Sequence, residues 1–259
     1  MKRFIQVTAF ILALAFIPLA ACADRLDDST LLSFYADSVI FGDSRLQAFR
    51  RYVQQMRETD ETFLKTLAIA PAESISLYAA SMGISSDDIG FNYRGGRTMY
   101  SIAERVHARK VFIMLGLNDP VGIKADKAVA WIIKIINWMG KVVPDAEVYF
   151  FSETPVTKNY GVKKNRPNYQ TQLDAYNEIL KETCEQNGGH YIGMAEAFKG
   201  EDNYLKEEYS TDNICHLNND GVAVWIQCMK DYAQEQYDLG LWDPYAKEEE
   251  TAEPADNAE

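Results

Sequence analysis

Ser44 lies in the run Phe41-Gly42-Asp43-Ser44-Arg45. A serine hydroxyl is a weak nucleophile until a base takes its proton, and imidazole is the commonest base. The chain has three histidines, His107, His190 and His216. His216 lies just before the last helical pattern and has an acid close by, in Asp212-Asn213-Ile214-Cys215-His216. A carboxylate there can orient the imidazole and stabilise its cation. Asn118, in Gly116-Leu117-Asn118-Asp119, offers an uncharged amide donor. Gly96 can present a backbone N–H at close range. Nucleophile, base, orienting acid and donors for developing negative charge are the parts of an acyl-transfer site.

These residues need elements that bring them together. Ser38 to Phe41 is a short apolar run that reads as a buried strand. Leu46, Phe49, Val53 and Met56 follow at helical spacing. Helical stripes recur at Met99, Ile102, Ala103 and Val106, then at Val129, Ile132, Ile133 and Ile136. Val111 to Leu115 and Glu147 to Phe151 read as strands, and His190 to Ile192 as the last strand. Leu173, Tyr176, Leu180 and Cys184 form another stripe, and Val222, Trp225, Ile226 and Met229 a final one. Alternating strands and helices predict an α/β fold, a three-layer α/β/α sandwich around a parallel sheet of about five strands. Sites in such sheets lie beyond the carboxyl ends of the strands. Ser44, Gly96, Asn118 and His216 all fall at such positions. Ser44 also opens a helix, where free N–H groups favour negative charge.

The combination resembles the SGNH/GDSL hydrolase superfamily. Gly42-Asp43-Ser44-Arg45 is similar to its first block, with Arg45 where the name-giving pattern has Leu. Gly96 matches the second block, Gly116-Leu117-Asn118-Asp119 the third, and His216 the last. The resemblance runs from about Ser38 to Tyr232 and implies a flavodoxin-like sandwich. It implies that Ser44 is the nucleophile and His216 the base. The Ser44 and Gly96 N–H groups and the Asn118 amide would form the oxyanion hole. It implies no metal or organic cofactor. The last block is D-x-x-H in the family, whereas Asp212 lies four residues before His216 and Asn213 holds the usual place. Either a one-residue bulge brings Asp212 to the imidazole, or the Asn213 amide oxygen accepts from it; Asp212 is the expected partner, because its carboxylate stabilises the imidazolium. The expected activity is hydrolysis of an O-acyl ester, an acetyl group on cell-envelope or environmental carbohydrate. An O-acyltransferase and a catalytically weak surface lipoprotein that binds glycan or a protein partner are the alternatives.

The N-terminus reads as an address. Lys2 and Arg3 precede an apolar run that ends in Leu19-Ala20-Ala21-Cys22. Residues 1–21 are expected to be a signal peptide. The run resembles a lipobox, which implies cleavage before Cys22 and a lipid anchor to the membrane on that thiol. Cleavage after Ala23 is the rival and releases a soluble protein. Residues 22–242 form the expected hydrolase domain, and the acidic stretch 243–259 a disordered tail. The net charge of -12 and pI of about 4.8 disfavour a nucleic-acid binder, which needs a basic face.

Several residues have ordinary readings. Ser44 alone fits a helix N-cap, and Asp43, Asn118 and Asp119 fit turns. Arg45 is expected either to meet an anionic substrate group or to be solvated. Trp131, Trp138 and Trp225 sit in helical patterns as core residues. Lys158 to Arg166 reads as an exposed loop. His107 is expected at the surface, and His190 as structural. Cys215-His216 lacks a second ligand pair for zinc. Cys184, Cys215 and Cys228 permit at most one disulfide or remain as thiols.

Overall fold

The computed structural model describes residues 25–83, 97–119 and 125–246. The expected signal peptide, Cys22, Gly96 and nearly all of the acidic tail lie outside them. Five parallel strands form one sheet in the order β2-β1-β3-β4-β5. These are β1 (Ser38–Gly42), β2 (Ala68–Pro71), β3 (Lys110–Met114), β4 (Glu147–Phe151) and β5 (His190–Ile192). The helices are α1 (Asp28–Ser33), α2 (Leu46–Arg57), α3 (Leu77–Ser81), α4 (Met99–Arg105) and α5 (Ala125–Val142). They continue as α6 (Lys158–Lys163), α7 (Tyr169–Gln186), α8 (Ala195–Phe198) and α9 (Asn219–Asp238). Among the described residues no helix is long and apolar enough to cross a membrane.

Strand residues alternate between two apolar cores, as the pleat requires. Val39, Phe41, Val111, Ile113, Val148 and Phe150 face one core, closed by α3, α4, α5 and α7. Ile40, Phe112, Met114, Tyr149 and Phe151 face the other, closed by α1, α2 and α9. Burial on both faces is why the strands are continuous apolar runs. The three-layer sandwich is therefore present.

Strand order reverses at β1, whose neighbours are β2 on one side and β3 on the other. Gly42 at the end of β1 pairs with Met114 at the end of β3. Loops leaving this switch point diverge and open a crevice. Ser44 leaves β1 there, and Asn118 leaves β3.

The structure departs from the sequence reading at several elements and side chains. The strand β2 was not marked by its residues: Ala68-Ile69-Ala70-Pro71 is short, half alanine, and at the sheet edge where Pro is tolerated. Lys158 to Lys163 is a helix rather than a loop. Trp138 is 45% exposed and packs its ring against Tyr100 at 5.5 Å, whereas Trp225 is fully buried and Trp131 half-buried. The three described cysteines are free thiols, two of them buried.

Candidate active site

Ser44 occupies the tight turn between β1 and α2. The Leu46 N–H bonds the Asp43 carbonyl at 3.1 Å, and Gln47 N–H bonds the Ser44 carbonyl at 3.1 Å. Gly42 suits the turn, because a Cβ there would lie 3.1 Å from the Leu46 Cβ, a close contact that Leu46 would have to relieve by shifting. Ser44 does not cap the helix. Its Oγ lies 2.9 Å from His216 Nε2, and its backbone N–H has no acceptor among the described residues.

His216 is held by a loop that folds back on itself. The Ser210–Leu217 bridge and a bond from Thr211 N–H to the His216 carbonyl close it. Asp212 is its hub. Asp212 Oδ1 accepts from the N–H groups of Ile214, Cys215 and His216 at 2.8, 3.1 and 3.2 Å. Oδ2 is 2.6 Å from His216 Nδ1. Partial burial pushes this carboxyl up, but the imidazole and the three backbone donors outweigh it and bring it to about 2. Asn213 takes up the extra residue with a left-handed φ of 53°. Its carbonyl accepts from the Thr157 hydroxyl at 2.8 Å, and its buried Oδ1 has no partner. Asp212, not Asn213, is the residue beside the imidazole.

Asn118 reaches the same rim. Its amide nitrogen donates to Asp43 Oδ2 at 3.0 Å and to the Ile75 carbonyl at 3.2 Å. Both amide hydrogens are therefore taken by protein acceptors. Asp119 is buried and caps α3, accepting from Leu77 and Tyr78 N–H at 2.7 and 3.0 Å. Burial pushes its carboxyl up to about 6 against those donors. Gly116 is demanded by the ring of Tyr176, which a Cβ would meet at 2.5 Å. The Tyr176 hydroxyl donates to the Leu115 carbonyl at 2.6 Å and so braces the segment leading to Asn118.

Arg45 is neither solvated nor turned toward a substrate. It is fully buried. Its Nε and one terminal nitrogen grip Asp43 at 3.0 and 2.8 Å. The same terminal nitrogen contacts Glu153, and the other bonds Thr154 Oγ1 at 3.2 Å. Burial alone would lower this guanidinium, but Asp43 and Glu153 hold it well above its usual range. Burial raises the Glu153 carboxyl despite Arg45, and its Oε1 has no partner. Glu153 was missed in the sequence. Its signal was a charge at the carboxyl end of β4, inside Phe151-Ser152-Glu153-Thr154-Pro155. Asp212, Cys215 and His216 also place three ligand atoms within 4.8 Å of one another. Three donors are one short of a closed tetrahedral zinc set, and two of these already bond each other.

A serine bonded to an imidazole bonded to a carboxylate, at the carboxyl edge of a parallel sheet, has the geometry of a serine hydrolase. The chain belongs to the GDSL-like lipase/acylhydrolase family, whose model matches residues 40–224, and is by class a carboxylic ester hydrolase. Its fold is shared with solved structures of low sequence identity. A GDSL-like lipase from Bacteroides thetaiotaomicron is 13% identical with a TM-score of 0.56, over 83% of this chain and 94% of that one. A carbohydrate esterase of family 3 from Talaromyces cellulolyticus is 13% identical with a TM-score of 0.51, over 78% and 98%. The periplasmic domain of a lipopolysaccharide acetyltransferase from Salmonella ser. Paratyphi A is 13% identical with a TM-score of 0.51, over 76% and 83%. No curated protein sequence matches the chain significantly.

Proposed function

We propose that this protein hydrolyses O-acetyl esters on carbohydrate through Ser44, His216 and Asp212. The observation that carries the reading is the unbroken pair of contacts, 2.9 Å from Ser44 Oγ to Nε2 and 2.6 Å from Nδ1 to Asp212. His216 takes the Ser44 proton as Oγ attacks the ester carbonyl, then returns it to the leaving alcohol. Water, activated by the same imidazole, hydrolyses the acyl-enzyme. Asp212 keeps the ring in the correct tautomer and stabilises its cation.

The oxyanion is received by the Ser44 backbone N–H, the Gly96 N–H and the Asn118 amide. Asn118 takes part by exchanging an existing acceptor for the oxyanion, and the longer bond to the Ile75 carbonyl is the one to yield. The acyl ester is supported by the family, and the carbohydrate part of the proposal by the carbohydrate esterase that shares the fold. We further propose that the enzyme works outside the cytoplasmic membrane, tethered by lipid on Cys22.

The test is p-nitrophenyl acetate hydrolysis beside labelling with a serine-directed fluorophosphonate. Ser44→Ala should abolish labelling and lower turnover by about 1,000-fold or more. A parent protein that neither labels nor hydrolyses would sink the esterase. Faster turnover on adding a sugar acceptor would instead identify a transferase using the same serine.

A further inference from the structure

The helix α6 abuts the triad. Its N-cap residue Thr157 donates its N–H to the Ile214 carbonyl and its hydroxyl to the Asn213 carbonyl, each at 2.8 Å. Both carbonyls belong to the loop between Asp212 and His216. On the other side, Tyr160 of α6 stacks on Tyr169 with centroids 4.6 Å apart. The Tyr169 hydroxyl donates to the carbonyl of Leu117, the residue before Asn118, at 2.5 Å. The helix and the turn after it thus bridge the His216 loop and the Asn118 loop.

That bridge carries Lys163, Lys164 and Arg166. The two lysines are exposed. The half-buried Arg166 guanidinium lies 5.6 Å from the Tyr169 ring centroid, a cation–π contact that restricts it. None of the three forms an ion pair among the described residues, whereas Lys158 at the start of α6 is paired with Asp202 at 2.7 Å. Burial pushes the Cys215 thiol up to about 12, and Arg45 and Lys164 are the charges that pull it back. Arg45 is already neutralised by Asp43 and Glu153.

Compensation of a helix dipole accounts for one cation at the end of a six-residue helix, not for three. In a chain of net charge -12, three cations within four positions and without ion pairs among the described residues are a local excess of positive charge. Such an excess attracts anions to the segment that joins the His216 and Asn118 loops.

We propose that Lys163, Lys164 and Arg166 form a subsite for an anionic group, so that the acyl ester is carried on a polyanionic carbohydrate bearing carboxylate or phosphate. This rests on the serine esterase reading and narrows its substrate. Two exposed lysines and one fixed guanidinium suit several anionic groups spaced along a flexible chain. The attraction is through solvent, so it is screened by salt.

The experiment compares three chemically acetylated polymers of one backbone: dextran, carboxymethyl-dextran and dextran phosphate. At about 20 mM salt, kcat/KM for at least one charged polymer should exceed that for neutral dextran by about fivefold or more, mainly through KM. The ratio should fall toward one at about 0.5 M salt. Which charged polymer is preferred identifies the anionic group. In the triple variant Lys163→Gln, Lys164→Gln, Arg166→Gln the low-salt ratio should fall to about one. If the triple variant unfolds through loss of the Arg166–Tyr169 contact, K163Q/K164Q alone should at least halve the ratio. Equal kcat/KM on all three polymers, or a preference that survives in the variants, overturns the subsite and leaves the esterase standing. Inert polymers together with inert p-nitrophenyl acetate overturn both.

Discussion

An aspartate four residues before a histidine reaches its ring only if the intervening chain turns sharply. Asn213 makes that turn at φ 53°, a conformation that asparagine tolerates better than most residues. Asp212 then accepts three N–H groups with one oxygen and faces Nδ1 with the other. The two residues should therefore separate cleanly. Asp212→Ala should lower kcat on p-nitrophenyl acetate by about 100-fold or more, because it removes the orienting carboxylate. Asn213→Gly, which keeps the left-handed turn, should leave kcat within about threefold. The reverse ranking would make the Asn213 amide the imidazole's partner. In sequence the charge of Asp212 favoured it over Asn213, but spacing left both close enough to His216, and only the turn decides between them. Arg45 was opaque for a similar reason. A charged residue beside a serine reads as exposed until the distant Glu153 is folded onto it.

At the scale of elements, apolar runs with two covered faces were legible and marginal ones were not. The strands β1, β3 and β4 announce themselves through Val, Ile and Phe. By contrast, β2 has one strand neighbour and two alanines, and its pairing with β1 makes it a strand. Likewise α6 lacks an apolar stripe, and its docking between two site loops makes it a helix. The loop after β3 shows how an element holds the site. Gly116 lets the Tyr176 ring of α7 pass where a Cβ would sit at 2.5 Å. Gly116→Ala should cost about 1–3 kcal/mol of stability through overpacking, read from urea unfolding. It should also lower kcat, because the displaced segment carries Asn118. A variant as stable and active as the parent would show that Tyr176 can retreat freely.

On the scale of the whole molecule, the three layers and the reversal of strand order decide where chemistry can occur. Most of this was readable, because Gly42-Asp43-Ser44 and Gly116-Leu117-Asn118 each follow a plain apolar strand. What could not be read is which charges the fold takes out of water beneath the site. Asp43, Asp119, Glu153 and Arg45 are all buried, three acids against one cation. Burial pushes Asp119 up to about 6 and raises Glu153 as well. An acid whose folded pKa lies above its unfolded value of about 4 binds its proton more tightly when folded. Stability from such a group is full below about pH 4 and is lost as pH rises through the folded pKa. Asp212, lowered to about 2, has the opposite sign. Its contribution is present above about pH 4 and disappears as pH falls toward 2. Urea midpoints should therefore rise from pH 7 to pH 5 and fall again below about pH 4. Asp119→Asn should remove on the order of 2–3 kcal/mol of the gain between pH 7 and pH 4, whatever the substitution costs the α3 cap at any one pH. Parallel pH profiles for the parent and Asp119→Asn would mean that Asp119 keeps its ordinary acidity in the fold, and that burial at the switch point does not set the acid response.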